Sequence, residues 1–264
     1  MSVDQEGRLS VGDKIRDYNS LFGTASLLRR FDILRRGYLD NRFERRSRLP
    51  LIPDDVVDTL LSYELVFPPR KFLMRAGGQT VEGLFILGSL VCALRAKEVF
   101  EIGTFEGVTT WFLARNAQRE SRINTLDIPP EETPVYELEQ SDEHRATPSS
   151  LVYPALPETP GEIVQHWGDS ATFDFRPWEG KCDLIYLDGA HSQEYVTSDT
   201  ARALSILAPD GIIVWDDYWR MSPGVTSVLN NLRDLELFRV PATRLVVYLR
   251  TESIERIVSR NAQK

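Results

Sequence analysis

Three aspartates stand where short apolar runs give way to polar sequence. Asp188 ends the run DLIYLD, and Asp216 and Asp217 end GIIVWDD. If the two runs are neighbouring parallel strands, the three carboxylates meet at one rim. Carboxylates that close repel one another unless a cation, a proton or a basic side chain neutralises them. An all-oxygen set suits a hard divalent ion such as Mg²⁺, and such an ion lowers the pKa of a hydroxyl bound to it. Asp216 and Asp217 have two alternative uses, capping the next helix or pairing with an arginine. His191 follows Asp188 closely, and its ordinary pKa suits proton transfer near neutrality. Its alternative is to pack or cap the helix expected to begin near Glu194. His144 falls in a variable insert and His166 inside a strand, so both rank lower.

A second set of residues follows an earlier apolar run. EVFEIGTFEGVTT places Glu101, Gly103, Thr104, Gly107 and Thr109 at a strand-to-helix turn. Gly103 permits a tight turn with close backbone approach, and Gly107 lets the next helix start against the strand. The free N–H groups of that helix can meet a carboxylate or phosphate. The next strand ends in Asp127, placed to accept both hydroxyls of a ribose. The one after it ends in Gly168-Asp169-Ser170, a polar turn fit for an adenine edge. Each of these acids and turns is also an ordinary helix cap or turn residue. A dinucleotide fingerprint would need a second glycine where Phe105 stands, so a pyrophosphate could not approach that backbone.

Alternating strands and helices must position these residues. Strands are expected over 98–102, 122–127, 162–167, 183–187 and 211–215, with helices over 79–94, 108–115, 194–207 and 224–235. Two short strands close the pattern near 237–240 and 245–250. Such alternation implies a doubly wound, mostly parallel, seven-stranded Rossmann-like α/β sheet. The short connection through Pro241 makes its C-terminal strand antiparallel. Residues 1–68 form a helical N-terminal extension, a lid or an oligomer contact, with an amphipathic helix over 27–43 and eight arginines between Arg29 and Arg48. The main domain takes 69–264. An acidic, proline-rich insert at 128–161 breaks its rhythm, with a helix expected over part of 135–145.

The chain has 264 residues, 42% hydrophobic and 27% charged, with a formal net charge of -8. That balance is ordinary for a globular protein and argues against coating nucleic acid or an anionic membrane. Cys92 and Cys182 sit among apolar residues and read as small buried side chains. No signal-peptide run or spanning segment is present. A soluble, cytoplasmic protein is expected.

The run EVFEIGTFEGVTT resembles the first motif of class I S-adenosylmethionine-dependent methyltransferases. DLIYLDGAHSQEYVTSDTARALSILAPDGIIVWDDYW resembles one metal-dependent O-methyltransferase branch. That branch holds the catechol and caffeoyl-CoA type enzymes and the macrolide-sugar O-methyltransferases. The resemblance covers roughly residues 77–250. It implies that Glu101, Gly103, Thr104 and Gly107 border the methionine end of S-adenosylmethionine, with Thr109 at its carboxylate. Gly78 to Gly83 loosely resembles a segment closing over that end. The resemblance also implies Asp127 at the ribose and Asp169 with Ser170 at the adenine. It makes Asp188, Asp216 and Asp217 the ligands of Mg²⁺ or another divalent cation, with Asp217 where the family often has Asn. His191 is implied as the base, beside Asp188 in the catalytic site. The implied reaction moves a methyl group to a hydroxyl oxygen of a small-molecule or saccharide acceptor. A sugar hydroxyl comes first and a phenol second, and the extension suits a homodimer. Two alternatives stay open. One is a nucleic-acid or protein methyltransferase, against which the turn Asp188-Gly-Ala-His191 and the acidic charge both count. The other is a non-catalytic module that binds adenosylmethionine.

Overall fold

A strand that is apolar at consecutive positions must be covered on both faces, and the central strands of this protein are such strands. The computed structural model describes residues 49–73, 79–139, 142, 147 and 149–259. The helix expected over 27–43, the arginines before position 49, His144 and Gly78 lie outside the described residues. Seven strands are present: β1 (Glu98–Ile102), β2 (Arg122–Asp127), β3 (Glu162–Trp167), β4 (Cys182–Leu187), β5 (Leu207–Trp215), β6 (Leu237–Arg239) and β7 (Val246–Tyr248). They form one sheet in the order β3-β2-β1-β4-β5-β7-β6. The first five pair in parallel, and β7 runs antiparallel to both β5 and β6. The fold is thus the Rossmann-like, mostly parallel sheet expected, with the antiparallel C-terminal strand.

Strand order reverses at the β1–β4 pair, where a ligand crevice opens beyond the carboxyl ends. Register decides what stands there. Ile102 lies opposite both Leu126 and Leu187, and Leu187 lies opposite Trp215. The residues that follow these partners therefore emerge side by side: Gly103, Asp127, Asp188 and Asp216.

The described helices are α1 (Asp54–Leu61), α2 (Arg70–Leu73), α3 (Val81–Leu94), α4 (Val108–Asn116), α5 (Gln193–Ile206), α6 (Pro223–Asn231) and α7 (Thr251–Ser259). α3 is apolar nearly all round and correspondingly buried. The Thr80 hydroxyl caps it by accepting from Gly83 N at 3.0 Å, and Arg95 ends it in a left-handed conformation. α5 starts on Ser192 as its cap. Among the described residues no helix is long and apolar enough to cross a membrane.

Three features depart from the sequence expectation or add to it. Residues 135–139 carry no helix. Val135 N donates to the Asp169 carboxylate, and Tyr136 packs edge-on against Tyr195, so tertiary partners replace helical ones. α1 falls within the expected helical extension, whereas α7 was not anticipated; the two pack against each other and against α3. α1 belongs to the same compact unit as the sheet, Ser47–Lys264. The chain just before it is bound in as well, since Ile52 N donates to Arg239 O at 2.9 Å.

Candidate active site

The glycine turn after β1 is tightly determined. Gly103 has φ +99°, and a Cβ there would lie 2.0 Å from the Asp188 carbonyl oxygen. Only glycine lets the β1 and β4 ends approach so closely. Phe105 also sits at positive φ, +49°, and its N–H donates to Asp127 at 2.7 Å. Asp127 thereby braces the turn from the neighbouring strand. Gly107, at φ +75°, opens α4, and a Cβ there would strike the Tyr153 ring. Tyr153 belongs to a strap from the insert. Val152 N donates to Glu106 O at 2.9 Å, and the Trp111 indole donates to Pro157 O at 2.7 Å. The C-terminal part of the insert therefore lies sewn over the glycine turn and α4.

Glu101 lies fully buried behind this turn. Its Oε2 accepts from Thr110 and Thr125 at 2.5 and 2.6 Å, while Oε1 has no hydrogen-bond partner among the described residues. Burial pushes its carboxyl up to about 7, against the two threonine hydrogen bonds. At neutral pH the group stands near half-ionised, ready for a cationic partner.

Asp188, Asp216 and Asp217 converge as expected, offering one oxygen each within 4.8 Å of one another. Asp188 accepts from the Tyr186 hydroxyl at 2.7 Å. Asp216, 3% exposed, accepts through Oδ2 from Gln79 at 2.7 Å and from Arg244 at 3.2 Å. Its Oδ1 is buried without a partner among the described residues. Asp217 holds φ +57° and pairs with Arg244 at 2.9 Å. Burial, then the neighbouring carboxylates, raises Asp188 well above the usual carboxylate range, and the same causes bring Asp216 to about 6. The set fits a divalent cation by donor chemistry and by the orphaned Asp216 oxygen.

His191 sits between two carboxylates. Nδ1 meets Asp142 of the insert, Nε2 meets Asp217 at 2.5 Å, and its backbone N–H donates to Asp142 at 2.8 Å. Burial alone would lower its pKa, but the two hydrogen bonds and charges outweigh burial and carry it to about 11. In this arrangement the ring is an imidazolium, not a base. Four acids, Asp142, Asp188, Asp216 and Asp217, thus face two internal cations, His191 and Arg244.

The two halves share one cleft. Gly103, Thr104, Gly107, Thr109 and Asp188 line it together with Gln79, Phe72 and Leu73. Asp169 and Ser170 turn to other partners. Asp169 accepts from Val135, Tyr195 and Ala171, and Ser170 from its side bonds to buried Asp199. His166 faces Asn124 and an aromatic cluster around Phe100, away from the cleft. Tyr218 is buried, with its hydroxyl on Asn230, whereas Trp219 stays partly exposed beside Arg244.

Comparison with known proteins agrees with this layout. Residues 100–218 match the family described as a methyltransferase domain. That span begins in β1 and ends just past β5, so it holds the glycine turn and all three acids of the cluster. This stretch is similar to a methyltransferase domain. No curated protein matches the chain. Among solved structures, it is similar to the O-methyltransferase TomG from Streptomyces achromogenes in complex with SAM, at 17% identity over 76% of this chain and 92% of that one, TM-score 0.45. An O-methyltransferase from Bacillus cereus in complex with SAH gives 16% identity, 75% and 92% coverage, and a TM-score of 0.45. The O-methyltransferase NovP gives 14% identity, 65% and 81% coverage, and 0.49.

Four side chains of the candidate site were not singled out in the sequence reading: Gln79, Tyr186, Arg244 and Asp142. Tyr186 has a signal in hindsight, a hydroxyl two residues before Asp188 in an otherwise aliphatic strand, which puts it on the same face. Gln79 lies in the 78–83 segment that the resemblance marked only as a whole, while Arg244 and Asp142 arrive from distant segments and have no local signal.

Proposed function

We propose that this methyltransferase domain moves the methyl group of S-adenosylmethionine to a hydroxyl oxygen of a small-molecule or saccharide acceptor, with help from a divalent cation. The shared cleft carries the reading, since it joins the glycine turn to Asp188. The cofactor supplies a methyl carbon already activated by its sulfonium. Gly103, Thr104, Gly107 and Thr109 border its methionine end. Glu101 stands behind them with one unpartnered oxygen for a positive group. Asp127, fixed by Phe105, takes the ribose, and the Asp169-Ser170 turn bounds the adenine side. Asp188, Asp216 and Asp217 are the cation ligands, and the cation supplies a lowered hydroxyl pKa at that rim. The protein contributes alignment, which yields much of the rate in a displacement of this kind. His191 is the base of the reaction once Asp217 releases Nε2 and that nitrogen gives its proton to solvent, because only the neutral ring accepts a proton.

Calorimetric titration of adenosylmethionine, with and without Mg²⁺, tests this reading. Cofactor binding should survive Asp216→Ala while Mg²⁺ binding is lost. A methyl-transfer assay over sugar and phenol hydroxyls then identifies the acceptor. Absence of cofactor binding under every condition would sink the proposal.

A further inference from the structure

Arg244 sits inside the acid cluster rather than beside it. Its guanidinium lies 2.9 Å from Asp217 Oδ1 and 3.2 Å from Asp216 Oδ2. His191 Nε2 takes the other oxygen of Asp217. Both oxygens of Asp217 therefore already have a partner within the protein, one of them the Arg244 guanidinium. Asp216 Oδ2 is shared among Arg244, Gln79 and Tyr186, which leaves Oδ1 as the oxygen without a partner among the described residues. A divalent ion held by these acids would have to share their charge with a guanidinium already in contact with them.

The arginine is held in that place by its backbone. It lies in the short connection between β6 and β7. Its carbonyl accepts from Tyr218 N at 2.9 Å, one residue past the acids. Thr243 fixes the turn by accepting from Leu245 N at 3.0 Å and donating to Val240 O at 2.9 Å. The guanidinium also faces the Trp219 ring at 5.8 Å. This is an anchored position, not a side chain that happens to reach a surface acid.

We propose that Arg244 is a built-in competitor for the divalent cation, so that the three aspartates form a loosely held, exchangeable metal site. The proposal rests on the metal-assisted reading above. Like charges at contact range weaken one another by roughly a factor of ten or more even in a well-screened site. A cluster of Asp188, Asp216 and Asp217 alone would hold the ion tightly. With Arg244 in place, occupancy follows the free cation concentration. Arg244 is thus a positioning residue that sets when the site is loaded.

The test uses Mn²⁺ as the probe, with free ion counted by electron paramagnetic resonance over the full-length protein. Wild type, Arg244→Met, Arg244→Gln and Arg244→Lys are compared, each also titrated with adenosylmethionine. The expected result is Mn²⁺ binding at least about tenfold tighter in the Met and Gln variants. The Lys variant, which keeps the charge, should stay near wild type, and cofactor affinity should not change. Should the Met variant fail to fold, the Gln variant carries the comparison. Mn²⁺ binding in wild type that is equalled or weakened in the neutral variants would overturn the proposal and leave Arg244 a brace. Cofactor binding with no Mn²⁺ uptake in any protein would overturn both this proposal and metal assistance, yet leave methyl transfer standing. Loss of cofactor binding as well would mark failure of the functional reading itself.

Discussion

Glu101 is a carboxyl group whose charge the fold disfavours. It is fully buried, and burial raises its pKa from 4.5 to about 7. The folded protein therefore prefers the proton. That contribution is complete below pH 4.5 and is lost as pH climbs through 7. At 1.36 kcal/mol per pKa unit, ionisation costs roughly 3 kcal/mol of stability, as an upper bound. Glu101→Gln without cofactor should then be more stable than wild type at pH 8 by about 1–3 kcal/mol and no more stable at pH 4.5. Urea unfolding at the two pH values measures this. The same variant should bind adenosylmethionine more weakly, because its orphaned oxygen no longer carries charge. His191 shifts by the same rule. Raised from 6.5 to about 11, it contributes stability that is full below pH 6.5 and lost as pH rises through 11. Its ¹⁵N resonances should report an imidazolium through pH 9 in protein free of divalent ions. A ring that titrates near 6.5 would show that the Asp142–Asp217 clamp does not hold. His191→Asn should lower methyl transfer by about 10²–10⁴-fold while leaving cofactor affinity intact.

At the scale of elements, what could be read in advance was whatever the local pattern controls. β1, β2 and β3 fall at the expected residues, because each is an apolar run bounded by polar turns. The bounds of α1 within the helical extension, and α7 altogether, were missed for the opposite reason. Both are short, and their apolar residues, such as Val56 and Leu60 or the single buried Ile257, make a face only once α3 is there to receive it. The insert resisted reading because its order comes from side-chain bonds to Asp169, Trp111 and His191 across the fold. The glycine turn was legible in type but not in degree. Gly103→Ala must push its Cβ into the Asp188 carbonyl, as well as hold φ +99°. It should cost about 3 kcal/mol or more and abolish cofactor binding. Gly180 makes the control, since its φ is +66° but nothing lies within 4 Å of a Cβ. Gly180→Ala should cost only about 1–2 kcal/mol. Thermal melts of the two variants decide it. Equal costs would mean that backbone conformation, not the approach of β4, dictates glycine at position 103.

For the whole molecule, the site is a product of strand order. Gly103 and Asp188 are far apart in sequence, yet the β1–β4 pairing makes them neighbours, and the β4–β5 register brings Asp216 beside Asp188. This much followed from the alternating pattern, because a parallel sheet delivers its active residues to one edge. The balancing charges did not follow. Arg244 comes from an antiparallel hairpin beyond the parallel core, and Asp142 from the insert, so nothing local marks either one. The division of labour predicts two separable stabilisations. A ligand that binds only the folded state, at a hundred times its Kd, adds about 2.7 kcal/mol. In a domain of this size that raises Tm by roughly 5–11 °C. Adenosylmethionine and Mg²⁺ should each produce such a shift alone. Asp127→Ala should remove the cofactor shift and keep that of the cation, and Asp216→Ala should do the reverse. If either substitution abolished both shifts, the cleft would be a single cooperative site. The glycine turn and the acid cluster would then have to be ordered together, through the Gly103–Asp188 contact that joins them.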